Sequence, residues 1–209
     1  MELLLSFGTF GLIALLAAIS PGPDFLIVSK NSIGYSRKVG VVTALGVGSA
    51  IMVHVGYTVI GVGLIISKSV LLFSIIKSLG ALYLCYLGLT LLFSKHQALT
   101  IEDTKAQGTK TLREAFREGF LTNVLNPKAT VFFVSVFSQI VPPSLPIAVQ
   151  SLYGVEAAVI VSTWFAILAI LLTLPKIKAS LGKFQSKMLT VMGAALLLLG
   201  ARLAFESNK

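Results

Sequence analysis

Apolar residues run along this chain in long blocks, and the polar residues collect between the blocks. The first block, Leu3 to Val28, is interrupted by Ser20-Pro21-Gly22-Pro23-Asp24. Further blocks cover about Val39–Ile66, Val70–Phe93, Gly119–Ile140, Ala148–Leu174 and Met188–Phe205. A helix needs about 20 predominantly apolar residues to cross a bilayer. The pattern therefore predicts an all-α polytopic membrane protein with six spans, or five if the first block is re-entrant. The second block is rich in glycine (Gly46, Gly48, Gly56, Gly61, Gly63), which favours close helix approach.

The polar stretches divide the chain. Ser94–Thr111 is the longest, and it separates a first half, residues 1–93, from a second, residues 112–209. Lys30, Arg37 and Lys38 are read as a short basic loop, and Val141–Pro146 as a tight uncharged turn. Leu112–Glu118 is amphipathic and suits an interfacial helix start. Of the 17 Lys and Arg residues, 12 fall in the first, third and fifth connections, whereas the second and fourth carry only Lys68. Lysine and arginine stay on the cytoplasmic side, so those three connections are expected inside and both termini outside.

The halves resemble each other. Each begins with a broken span, at Ser20-Pro21 and at Asn126-Pro127. Each ends in a span with paired glycines, Gly80 and Gly88 in one and Gly193 and Gly200 in the other. An odd number of spans per half requires the second half to be inverted. Inverted three-span repeats with interrupted helices at corresponding positions point to a transporter binding site.

Composition sharpens this. Of the 209 residues 56% are hydrophobic and 12% charged, against about 25% charged in ordinary soluble domains. The mean hydropathy is +0.92. The net charge of +9 would suggest nucleic acid in a soluble protein, but here the basic residues follow membrane topology, and no nucleic-acid partner is expected. The N-terminus lacks the positive region of a cleaved signal peptide, so the first block is read as a retained span. Cys85 is the only cysteine, and His54 and His96 are the only histidines, which supplies neither a thiol pair nor a metal cluster. No Gly-Lys-Ser/Thr phosphate loop is present. A non-enzymatic protein without cofactors is expected, driven by an ion or substrate gradient.

The candidate chemistry lies at the breaks. Pro21 and Pro23 withdraw two backbone donors, and Gly22 is expected to supply dihedrals closed to other residues. Asp24 places a carboxylate in an apolar span, which marks a functional position. The first break lies 18 residues after Leu3 and the second eight after Gly119, about 27 and 12 Å of helix from opposite faces. Both then fall in the inner half of the bilayer, where Asp24 and Lys128 share a cavity as a self-neutralising pair. That pair matches an amino-acid zwitterion, with the carboxylate on Lys128 and the ammonium on Asp24. The competing reading has Lys128 snorkelling to the interface and Asp24 capping a helix. Asn126 before Pro127 suits an N-cap. His54 is either a proton relay or a buried, hydrogen-bonded histidine. Glu156 is either an intramembrane proton carrier or an outer-interface residue, and Trp164 reads as packing.

Ser20-Pro21-Gly22-Pro23-Asp24-Phe25, Leu121-Thr122-Asn123 with Asn126-Pro127-Lys128-Ala129, and the run Gly80 to Gly88 together resemble the lysine exporter superfamily, in particular its threonine and homoserine efflux branch. The likeness extends over nearly the whole chain, including Ser135-Val136-Phe137-Ser138 and Trp164-Phe165. It implies an inner-membrane exporter of small neutral amino acids working by proton antiport. It supports roles for Pro21, Gly22, Pro23, Asp24, Asn126, Pro127 and Lys128. Some related exporters carry a carboxylate nearer the tryptophan, but Glu156 stands eight residues before Trp164, so no role passes to it. The other function class is a non-transporting membrane scaffold or sensor, which would have no use for intramembrane charge. Substrate, stoichiometry and oligomeric state stay open, a homo-oligomer included.

Overall fold

Proline decides where the first two helices end and begin. In the computed structural model, which describes residues 2–93 and 109–174 with positions 190, 194, 197, 198, 200 and 201, α1 (Glu2–Ile19) stops at Ser20. Helix α2 (Pro23–Gly34) restarts with proline at its first position, where a missing N–H costs nothing. The two are bent by 61°. Pro127 repeats the device between α5 (Leu112–Val124) and α6 (Pro127–Ile140), which are bent by 58°. Between the bent pairs lie α3 (Arg37–Lys68) and α4 (Val70–Phe93), and α7 (Ile147–Leu172) follows the Pro142–Pro146 turn. Among the described residues all regular structure is helical. Most of the predicted linker, the lysines from Lys176 to Lys187, His96 and most of the sixth predicted span lie outside the described residues.

Two boundaries differ from expectation. Lys30 belongs to α2, and the loop before α3 is only Tyr35–Ser36, so Arg37 and Lys38 already sit in the first turn of α3. The helix that enters the fourth block starts at Leu112 and not at about Gly119, so residues 112–118 are the first half of α5. That helix starts at a capping box: Glu114 N–H donates to the Thr111 hydroxyl at 3.2 Å, and Thr111 N–H donates to the Glu114 carboxylate at 2.9 Å.

Helix α3 is the central post. It packs against α5 and α7 on two sides and also touches α2, α4 and α6. Glycine makes the α3–α5 approach possible. A Cβ at Gly46 would collide with the Phe116 carbonyl, and one at Gly119 with the Thr43 carbonyl. Helix α4 leans on α6, while α1 and α2 lean on α7. Phe10, Ile13, Val28, Val47, Ile51, Tyr153 and Phe165 fill the shared core. At one end of it Phe7 stacks on Tyr153 with centroids 3.8 Å apart. The Tyr153 hydroxyl lies 2.6 Å from that of Ser6.

The outside is apolar: Leu4, Leu71, Phe93 and Leu125 are all more than two-thirds exposed. Polar side chains such as Asn31, Thr43, His54 and Asn123 are buried instead. That inversion is what a hydrocarbon solvent demands. Among the described residues two stretches, Arg37–Gly61 and Ile147–Leu172, are each long and apolar enough to cross a bilayer, and these residues make up to four crossings if each bent pair is one span. The fold is that of a helical membrane protein.

Candidate functional site

The site forms because the two breaks face each other. The end of α1 leaves carbonyls without helical partners, and the missing donors at Pro21 and Pro23 are the cause. Lys128, at the second position of α6, reaches them. Its Nζ donates to the carbonyls of Ser20 (3.2 Å), Pro21 (3.3 Å) and Ala17 (3.5 Å), and also to the Ser20 hydroxyl. Its own backbone N–H is capped by Asn126 Oδ1 at 3.0 Å. Its carbonyl accepts the Tyr83 hydroxyl at 3.2 Å.

Asp24 lies in the first turn of α2. Its Oδ2 accepts from the side-chain amides of Asn123 (2.9 Å) and Asn126 (3.0 Å). Its Oδ1 is buried and has no hydrogen-bond partner. The expected Asp24–Lys128 contact is not made: among the described residues the close ion pairs are Lys30–Glu118 and Lys110–Glu118. The two charges share a cavity, but each is held by other groups. The reason is geometric. A broken helix end offers several oxygens at once, and an ammonium with three donors is better satisfied there than by one carboxylate. Snorkelling is also absent, since Lys128 points into the protein.

The cavity between the breaks has a volume of about 50 Å³. Ser20, Gly22, Asp24, Asn123, Asn126 and Lys128 form its polar end. Ala14 and Ala17 of α1 and Phe132, Phe133 and Phe165 line the apolar remainder. A volume of roughly 10–15 Å³ on this measure holds one water, and a cavity of about 150 Å³ accepts benzene. The space here takes a few waters and is smaller than an amino acid requires.

Gly22 differs from expectation. Its φ of 178° and ψ of −175° are extended backbone that any residue adopts. A Cβ there would meet Lys128 Nζ at 3.4 Å and Cδ at 3.5 Å, an ordinary contact. The residue leaves the start of α2 without a side-chain cap, so glycine serves openness there and not backbone strain.

His54 is buried on α3 and lies outside the cavity lining. Its Nε2 is 3.0 Å from the Asn123 carbonyl and its Nδ1 is 2.5 Å from the Tyr57 hydroxyl. Glu156 is also away from the cavity, in the contact between α7 and α1: a Cβ at Gly11 would come within 2.9 Å of its Oε1, and its Oε2 is buried without a partner. Trp164 packs against the core with its Nε1 unpaired. Cys85 is a free, partly buried thiol. Among the described residues no group of three or more His, Cys, Asp and Glu could hold a metal ion.

Sequence reasoning missed Asn123 and Ser20 as side-chain contributors. The signal was there in part, because an amide in an apolar run must find partners. It also missed a second polar cluster. Asn31 donates to Thr43 and to Glu118, both at 2.9 Å. Lys110 donates to Asn31 Oδ1 at 2.9 Å, pairs with Glu118 and lies 4.8 Å from the Tyr35 ring centroid. This cluster ties the start of α5 to α2 and α3.

Residues 15–207 match the family described as LysE type translocator. The chain is similar to a threonine efflux protein of Escherichia coli strain K12, with 36% identity over 180 residues that cover 84% of this chain and 86% of the relative. A leucine efflux protein of Salmonella typhimurium is 36% identical over 145 residues, 68% of this chain and 66% of the relative. An uncharacterized membrane protein, YrhP, of Bacillus subtilis strain 168 is 29% identical over 198 residues, 91% of this chain and 94% of the relative. No solved structure matches the chain.

Proposed function

The chain belongs to the LysE type translocator family, and on that premise we propose that it is a secondary exporter of a small neutral amino acid such as threonine or homoserine, exchanging it for protons across the bacterial inner membrane. The observation that carries this reading is the unpaired, buried Oδ1 of Asp24 at the polar end of the cavity between the two breaks. A carboxylate oxygen left without a donor in an apolar surrounding is costly and calls for a cation. The substrate ammonium and the coupling proton both answer that need, and one oxygen holds one of them at a time. Competition for Asp24 then couples export to proton entry. The substrate carboxylate is taken by Lys128, which exchanges its α1 carbonyls for the ligand, and by the uncapped N–H groups at the start of α2. The apolar walls receive the side chain. Those walls, with the similarity to leucine efflux proteins, support a second reading in which the side chain is a larger aliphatic one.

The reading includes six spans, with residues 1–93 and 112–209 as inverted repeats joined by 94–111, and both termini outside. The nearly equal bends of 61° and 58° at corresponding places support it. The test is uptake of labelled threonine, homoserine and leucine into inverted membrane vesicles, with and without a pH gradient. Transport is expected to depend on the gradient. Asp24→Asn is expected to insert normally and to lose at least about tenfold in rate, the equivalent of ~1.4 kcal/mol. Near-normal transport by that variant overturns the assignment of Asp24, and no transport of any amino acid by the unaltered protein favours a scaffold.

A further inference from the structure

His54 has no exposed surface, and its ring stacks on Phe133 with centroids 5.6 Å apart and planes 10° apart. Phe133 and Asn123 stand between it and the cavity, since both line the cavity and His54 does not. Its two nitrogens have different partners. The Asn123 carbonyl can only accept, so the proton sits on Nε2, 3.0 Å away. In the neutral ring Nδ1 is then an acceptor, and it receives the Tyr57 hydroxyl at 2.5 Å. The ring is fixed in one tautomer and one orientation.

Asn123 is the last residue but one of α5, so its carbonyl belongs to the turn whose oxygens lack helical donors. It accepts from the Asn126 N–H at 2.9 Å and from His54. The same residue donates its side-chain amide to Asp24 Oδ2, beside that of Asn126. We infer that His54 is a positioning residue of the transport site: it pins the end of α5 to α3 through the Asn123 carbonyl, and so aims the two amides that hold Asp24 Oδ2 and leave Oδ1 free. This rests on the reading of Asp24 as the transport carboxylate. A proton does not pass along this line. The carbonyl that accepts from His54 and the side-chain amide that donates to Asp24 are different groups of one residue, and neither ionises near neutral pH.

The experiment compares His54→Gln, His54→Leu and Tyr57→Phe in the inverted-vesicle assay at matched protein amounts, with Asp24→Asn alongside. Glutamine keeps an N–H within reach of the Asn123 carbonyl but cannot carry a proton, whereas leucine removes the donor. His54→Leu is expected to raise the apparent KM about fivefold to tenfold, the worth of one buried hydrogen bond. His54→Gln is expected to recover most of that loss and to keep the pH profile of the parent. Tyr57→Phe, which frees Nδ1, is expected to raise KM by a smaller factor. A glutamine variant as defective as the leucine one, or a shifted pH profile in the glutamine variant, overturns the proposal. Should His54→Leu fail to insert, an unchanged KM in Tyr57→Phe overturns it instead. The ring can also be read without transport: nitrogen-15 NMR of detergent-solubilised His96→Gln protein is expected to show His54 with Nε2 protonated when neutral, and the opposite tautomer overturns the proposal. Normal transport by Asp24→Asn would defeat the parent reading alone and is scored separately.

Discussion

The two breaks are made by the same residue, proline, yet they are completed by opposite means. The first offers acceptors: the carbonyls of Ala17, Ser20 and Pro21 and the carboxylate of Asp24, with no side-chain cap at Gly22. The second caps itself through Asn126 and offers donors: the Lys128 ammonium and the amides of Asn123 and Asn126. Neither is satisfied within its own helix pair. In hydrocarbon a broken helix must find its partners in the protein or in a watery cavity, and here each break is the partner of the other. The site is thus a joint between two halves of the chain, and what opens it must replace those hydrogen bonds.

The largest test of this complementarity is Lys128→Met. It strands the α1 carbonyls and leaves Asp24 as the cavity's only charge. Export is expected to vanish, and stability to fall by about 2–4 kcal/mol, read as the unfolding midpoint in detergent. A stable Lys128→Met protein would show that the α1 end satisfies itself. The double variant Asp24→Asn with Lys128→Gln sharpens the point. The two charges line one cavity without touching, so a coupling energy at the low end of about 0.5–3 kcal/mol is expected, well short of full rescue. Rescue of Lys128→Gln by the second change would restore the direct charge pair. Asn126→Ala comes next. It removes the α6 cap and one donor to Asp24 and is expected to cost about 1 kcal/mol in the same unfolding assay; no loss would mean that the second break does not depend on its cap. The smallest effect is expected from Gly22→Ala. With extended backbone and an ordinary 3.4 Å contact to Lys128 Nζ, the unfolding midpoint is expected to stay within about 1 kcal/mol of the parent. A collapse there would show that the first break needs glycine for its conformation.

Much of this was legible in the order of residues. Prolines at 21, 23 and 127 mark the breaks whatever surrounds them, because a missing N–H is a local property. The lengths of the apolar blocks bounded the helices, although α2 runs on past Val28 to Gly34, carrying Lys30, because the chain there packs against α3, α5 and α7. Asp24 and Lys128 stood out as charges in apolar runs, and their chain positions foretold that the breaks could meet. Their partners could not be read in the same way. Asp24 and Asn123 are 99 residues apart, and Lys128 and Ser20 are 108 apart. Counting charges pairs Asp24 with Lys128, because side-chain letters record ionisable groups and say nothing about orphaned carbonyls. Only the tertiary structure decided that the lysine would rest on backbone oxygen and the carboxylate on amides, and that His54 would stand behind the wall. Helix breaks and apolar length are set by neighbours in the chain, whereas the partner of a buried polar group is set by whichever helix packs across from it.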